Sequence, residues 1–151
     1  MRKAIMILLA VMLLAGMSGS ARCAETRLAS PPPDFDHPRK IMLQLTSKNQ
    51  RDINNLLYNV VNIQKFYGMD NVRVAVIAFG DGMQALYGKT SPVADRVRSL
   101  LQYDVEFVAC GNTMTATNHK RDELIAGVKV VTAGIPEIVE RTLRGWVYIR
   151  P

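Results

Sequence analysis

The sequence predicts an α/β domain: a single three-layer unit with a mostly parallel sheet of about five strands and helices on both faces. Two observations predict it. Short apolar runs of strand length alternate with segments of helical period along residues 41–149, and that alternation implies parallel strands joined by crossover helices. The run 72–79 is also apolar except for Arg73, as a strand covered on both faces must be.

The elements follow in order. Ile41-Met42-Leu43-Gln44-Leu45 reads as a first buried strand. Thr46-Ser47 opens a helix, with Ser47 and Gln50 at capping-box spacing. Ile53, Leu56, Leu57, Val60 and Val61 recur at helical spacing and form one apolar stripe. Gly68 ends that helix. Val72–Phe79 is the second strand, Gly80-Asp81-Gly82 a tight turn, and Met83–Tyr87 a short helix. Ser91-Pro92 starts a further helix, a hydroxyl cap before a proline, with Val93, Val97, Leu100 and Leu101 as its buried stripe. Val105–Cys110 is the third strand, followed by a helix from Asn112 or Thr113. Val128–Thr132 is the fourth strand. Pro136 opens another helix, with Glu137 in its first turn to suit the dipole, and Gly145 closes it. Trp146–Ile149 is the fifth strand.

The first residues read as a targeting segment. Arg2 and Lys3 precede an apolar run of 12 residues, Ala4 to Ala15, and small residues follow through Ala21. This is the secretory signal pattern, and the run is short for a membrane span. Gly19 and Ala21 favour cleavage after residue 21. Arg22 before Cys23 disfavours a lipoprotein, and an uncleaved anchor is the alternative. Residues 22–39 read as a flexible proline-rich tail, and 40–151 as the folded domain. A periplasmic or secreted location is therefore expected, with no stable membrane insertion after cleavage.

The formal net charge is +6, falling to +4 without Arg2 and Lys3. The basic residues are scattered and not interleaved with aromatics, which argues against nucleic-acid binding. No metal site is expected, since Cys110, His119 and His37 lack ligand spacing. No cofactor is expected either. Neither a nucleophile elbow nor a Walker A sequence occurs. Gly80–Ala85 matches G-x-G-x-x-A, but Cys110 stands at the end of the next strand, where a dinucleotide site wants an acidic residue. The other reading of those glycines is a turn that lets the loop approach its neighbour.

Cys110 is the candidate site residue. Export leads to an oxidising compartment where disulfides are usual, yet the remaining cysteine, Cys23, lies in the tail. A strand end before a helix N-terminus favours thiolate over thiol, and Gly111 leaves room for an approaching substrate. A small buried cysteine, inert and packed, fits the same position. Gly111, Asn112 and Thr113 would shape the thiolate pocket, with Gly80, Asp81 and Gly82 as a neighbouring wall. Asn54, Asn55, Asn59 and Asn62 crowd the first helix without an assigned role.

Phe107–Met114, with its cysteine followed by Gly-Asn-Thr, resembles the cysteine motif of the DsrE/DsrF-like sulfur-relay superfamily. So do the helix Asn55–Asn62, the strand and turn Val74–Gly80, and the ending Gly145–Pro151. The resemblance covers about residues 40–151. It implies a compact α/β sheet, a homo-oligomer such as a trimer or hexamer, and a cysteine that in some members carries sulfur as a persulfide; the matching residue is Cys110. The function expected is exported sulfur handling or thiol redox, with a sulfur-donor or thiol partner protein. The alternative is a non-catalytic oligomeric module that binds a small ligand. The sulfur-relay members work in the cytoplasm, so an exported member departs from them.

Overall fold

The computed structural model describes residues 24–151. The signal segment expected over residues 1–21, and Cys23, lie outside the described residues. Two compact units divide at Pro32–Pro33. Residues 24–32 of the first contain neither helix nor strand. The second unit carries every helix and strand described below.

The strands are β1 (Arg39–Leu45), β2 (Val72–Ala78), β3 (Glu106–Cys110), β4 (Lys129–Val131) and β5 (Val147–Ile149). The helices are α1 (Gln50–Tyr67), α2 (Ala94–Gln102), α3 (Gly111–Ala116) and α4 (Gly134–Leu143). The sheet order is β4-β3-β2-β1-β5, and every neighbouring pair is parallel.

That order fixes where each helix lies. From β1 to β4 the chain steps one strand at a time in one direction. From β4 to β5 it returns past the whole sheet. Right-handed crossovers then place α1, α2 and α3 on one face and α4 on the other. The packing agrees. Ile53, Leu56, Leu57 and Val60 of α1, Val97 and Leu100 of α2, and Met114 of α3 share a core with Leu43, Val74, Val76 and Phe107. The alternate residues Met42, Ala75, Ile77 and Val108 point the other way and meet Ile138 of α4 and Trp146, as the two-residue strand period requires.

Helix starts depart from the sequence reading in four places, the smallest being α3, which begins at Gly111 rather than at Asn112 or Thr113. α1 begins at Gln50 with Asn49 as its cap, not at Thr46-Ser47: the Asn49 side chain accepts from Arg51 N–H at 2.8 Å. The Ser47 hydroxyl is used otherwise, donating to Asp52 at 2.7 Å and accepting from Asn49 N–H at 3.1 Å. α2 begins two residues after Pro92, because the Ser91 hydroxyl donates to the Ala85 carbonyl at 2.7 Å while holding Val93 N–H at 3.2 Å. α4 begins at Gly134, ahead of Pro136, which still lies in the first turn, where a missing N–H costs nothing. The short helix expected over 83–87 is a 3-10 turn spanning Gly80–Leu86. Gly68, with φ of +84°, ends α1 as expected.

Candidate functional site

Neighbouring strands whose following helices go to opposite faces open a crevice at their carboxyl ends. Here those strands are β3, followed by α3, and β4, followed by α4. Cys110 is the last residue of β3 and the residue before α3. It therefore sits at the switch point of the sheet, buried to 5% exposure.

Two helix starts converge on its sulfur. Gly134 N–H, at the start of α4, donates to Cys110 Sγ at 3.3 Å. The Thr113 hydroxyl in α3 accepts from Gly80 N–H at 3.2 Å, which leaves its own O–H to donate to the sulfur. Burial pushes the Cys110 thiol up. Hydrogen bonds from the Thr113 side chain, then from the Thr113, Gly134 and Asn112 backbone, outweigh burial and hold the thiol below its ordinary value. The Asn112 N–H is also held by the Thr132 carbonyl at 3.0 Å.

The residues expected around Cys110 are placed as follows. Thr113 and Gly80 are joined to the site by hydrogen bonding. Gly82 serves the loop's close approach: a Cβ there would lie 2.1 Å from the Leu45 carbonyl oxygen. Gly111 does not leave room for a substrate; a Cβ there would meet the Val131 carbonyl oxygen at 2.9 Å, so the space it saves belongs to β4. Asn112 presents an exposed side chain. Asp81 is exposed and pairs with Lys48 at 3.3 Å, outside the set of groups acting on the sulfur. The turn at Gly80–Ala85 opens no α-helix, so it lacks the helix N-terminus that a dinucleotide fingerprint supplies.

Gly134 escaped the sequence reading. A Cβ there would meet Phe79 at 3.1 Å and Cys110 Cβ at 3.4 Å. Only a glycine lets the first amide of α4 come so close. The sequence signal was a small residue two positions before Pro136, at a helix start.

A cavity of about 280 Å³ lies elsewhere along the same sheet edge, lined by Gln44, Thr46, Ser47, Asn55, Asn59 and Arg150 among others. Cys110 is not part of it. The strand register aligns Leu45 with Ala78 and Ala78 with Ala109, so two strand spacings, about 10 Å, separate the two places. Asn55 and Asn59 thus line a polar hollow, while Asn54 bonds to Arg96. A shallower groove runs along Val130, Val131, Thr132, Ala133 and Pro136, beside the loop that closes over Gly111.

Among the described residues, Cys110 is a free cysteine, and no group of three His, Cys, Asp or Glu side chains is placed to hold a metal ion. His119 stacks on Tyr87 with ring centroids 4.0 Å apart and bonds to Glu123 at 2.8 Å. No described helix is long and apolar enough to cross a membrane.

A parallel sheet with a thiol at its switch point, held by two helix starts, defines a cysteine-centred α/β domain. The chain belongs to the DsrE/DsrF-like family, whose model matches residues 39–151 and which is generally related to sulfur relay. Among solved structures it is similar to MTH1491, a protein of unknown function from Methanobacterium thermoautotrophicum: identity is 32%, TM-score 0.72, with 75% of this chain and 99% of that one covered. The ychN protein from E. coli shares the fold at 14% identity and a TM-score of 0.62, covering 76% of this chain and 99% of that one. BT1422, a conserved protein of unknown function from Bacteroides thetaiotaomicron, does so at 18% identity and a TM-score of 0.56, covering 74% and 94%. No curated protein matches the chain significantly.

Proposed function

We propose that this protein handles sulfur through Cys110, as a nucleophile or a persulfide carrier, after export to the periplasm or the cell exterior. The observation that carries the reading is the hydrogen-bonded position of the sulfur, with Gly134 N–H at 3.3 Å and the Thr113 hydroxyl beside it. Such donors favour the thiolate, which is the attacking species. In the transfer step the Cys110 thiolate attacks the outer sulfur of a donor persulfide. A new S–S bond forms on Cys110, the donor's S–S bond breaks, and the donor leaves as a thiolate. Family membership and the lowered thiol support this chemistry; the export reading rests on residues 1–21.

The assembly belongs to the same proposal. A homo-oligomer, a trimer or hexamer, would cover the side chains of Ile135, Val139 and Leu143, exposed at 60%, 50% and 77%. They recur every four residues on α4 and form one apolar stripe. The donor or acceptor of the sulfur is a separate thiol protein.

Intact-protein mass spectrometry after incubation with polysulfide tests the reading. In a Cys23→Ser background, which leaves Cys110 as the thiol that can react, the chain should gain one sulfur atom, removable by dithiothreitol, and adding Cys110→Ser should abolish the gain. An unmodified chain in that background would favour the second reading, a ligand-binding module with a packed cysteine. The polar cavity beside Asn55 and Asn59 supports that alternative.

A further inference from the structure

Glu106 and Cys110 are the first and last residues of β3. Arg141 lies about two turns beyond Gly134, the first residue of α4. The helix runs antiparallel to the strand and is fastened to both of its ends. At one end Gly134 N–H reaches Cys110 Sγ at 3.3 Å. At the other the Arg141 guanidinium forks onto Glu106, with bonds of 3.0 and 2.7 Å.

Arg141 is the buried charged residue of the described core, at 8% exposure. Its Nε also donates to Glu137 at 2.7 Å, and its guanidinium lies 4.8 Å from the Trp146 ring centroid. Lys129 from β4 approaches Glu106 at 3.4 Å, and Arg144 approaches Glu137 at 3.8 Å. These are the charged groups around it.

The apolar grip on α4 is thin: Met42, Ala75, Ile77 and Val108 are the buried residues of that face. Apolar contact is non-directional and sets the axial position of a helix less sharply than a polar bond does. A bidentate fork fixes both distance and direction. An N–H···S bond does not survive an axial slip of about 1 Å.

We propose that Arg141 is a positioning residue for Cys110: its fork on Glu106 sets the axial position of α4 and so keeps Gly134 N–H on the sulfur. The inference rests on the reading that Cys110 works as a thiolate. The donors on the sulfur, Thr113, Gly134 and Asn112, carry no charge, and the Glu106–Arg141 pair sits at the far end of β3, about 13 Å down the strand, so Arg141 acts through the helix rather than through its field.

The test is the pH profile of Cys110 alkylation by iodoacetamide, carried out on the full chain in a Cys23→Ser background and read by mass spectrometry. Arg141→Met removes a positive charge and Glu106→Gln a negative one. A positional effect moves both midpoints upward by about half a pH unit, roughly threefold in thiolate population. A purely electrostatic effect moves them in opposite directions, and that outcome, like unchanged midpoints, overturns the proposal. Arg141→Lys keeps the charge but loses the fork. It carries the same upward expectation where Arg141→Met does not unfold cooperatively, and an unchanged midpoint there overturns the proposal equally. A wild-type midpoint at the ordinary value for a free thiol would remove the thiolate reading itself, which separates the two failures.

Discussion

Gly80 donates its backbone N–H to the Thr113 hydroxyl at 3.2 Å. That bond ties the loop after β2 to the helix after Cys110, and it sets the direction of the one proton Thr113 can give. With one lone pair engaged by Gly80, the hydroxyl keeps its hydrogen for the sulfur.

Thr113→Val should therefore raise the Cys110 thiol while leaving the fold in place. Valine keeps the shape and loses the donor. Alkylation rate against pH should show a midpoint displaced upward and a rate at neutral pH reduced about threefold or more. Thr113→Ser should stay near wild type. An unshifted valine variant would mean that the backbone amides alone hold the thiolate.

Two glycines two positions apart should respond very differently to alanine. Gly82→Ala puts a methyl 2.1 Å from the Leu45 carbonyl oxygen, a backbone atom that cannot rotate away. A loss of about 3 kcal/mol or failure to fold is expected in urea unfolding. Gly80 has φ of +55° but nothing within 4 Å of its Cβ position, so Gly80→Ala should cost only the left-handed penalty, about 1 kcal/mol. Equal losses at the two sites would contradict the packing described for the turn.

The Glu106–Arg141 fork should give the domain an acid-sensitive stability. Burial pushes Glu106 up, but the Arg141 hydrogen bonds and charge, with Lys129, hold it below its ordinary range. A carboxylate with a depressed folded value stabilises fully above the unfolded value, about 4.3. That stabilisation is lost as pH falls through the lower folded value. Urea midpoints between roughly pH 6 and pH 3 should drop for wild type, with a shallower fall for Glu106→Gln. Parallel curves would remove Glu106 as a source of the slope.

The stripe on α4 offers a test of assembly independent of the thiol. Val139→Asp changes a residue exposed at 50%, so monomer stability should shift by about 0.5 kcal/mol or less. Light scattering should show a smaller particle than wild type. A wild-type mass that the substitution leaves unchanged would place the subunit contacts elsewhere.

The strand pattern was readable because β1, β2 and β3 are mostly buried on both faces and show as nearly continuous apolar runs. The helix starts were less readable, since several polar residues in each loop compete for the cap. Ser47 satisfies a capping spacing yet spends its hydroxyl on Asp52, and nothing local marks Asn49 as the winner. At the site, Cys110 and Thr113 were legible because strand and helix meet within a few residues. Gly134 was not: its partner lies 24 residues earlier, and only the crossover of α4 brings them together. Arg141 was hidden for a related reason. In a helical pattern a lone arginine reads as solvated, and its carboxylate partner sits 35 residues away at the foot of another strand.

The pairing of β5 with β1, Ile41 with Val147 and Leu43 with Ile149, has a consequence for the order of synthesis. Strand β5 is made about 100 residues after β1, the strand it pairs with. Until residues 147–149 have left the ribosome, one edge of β1 stays open. Closure across so long a loop is entropically slow. The nascent chain therefore carries an unpaired edge on β1 throughout synthesis of the residues between the two strands, and a chaperone that shields such edges would act on β1 rather than on the thiol end of the sheet.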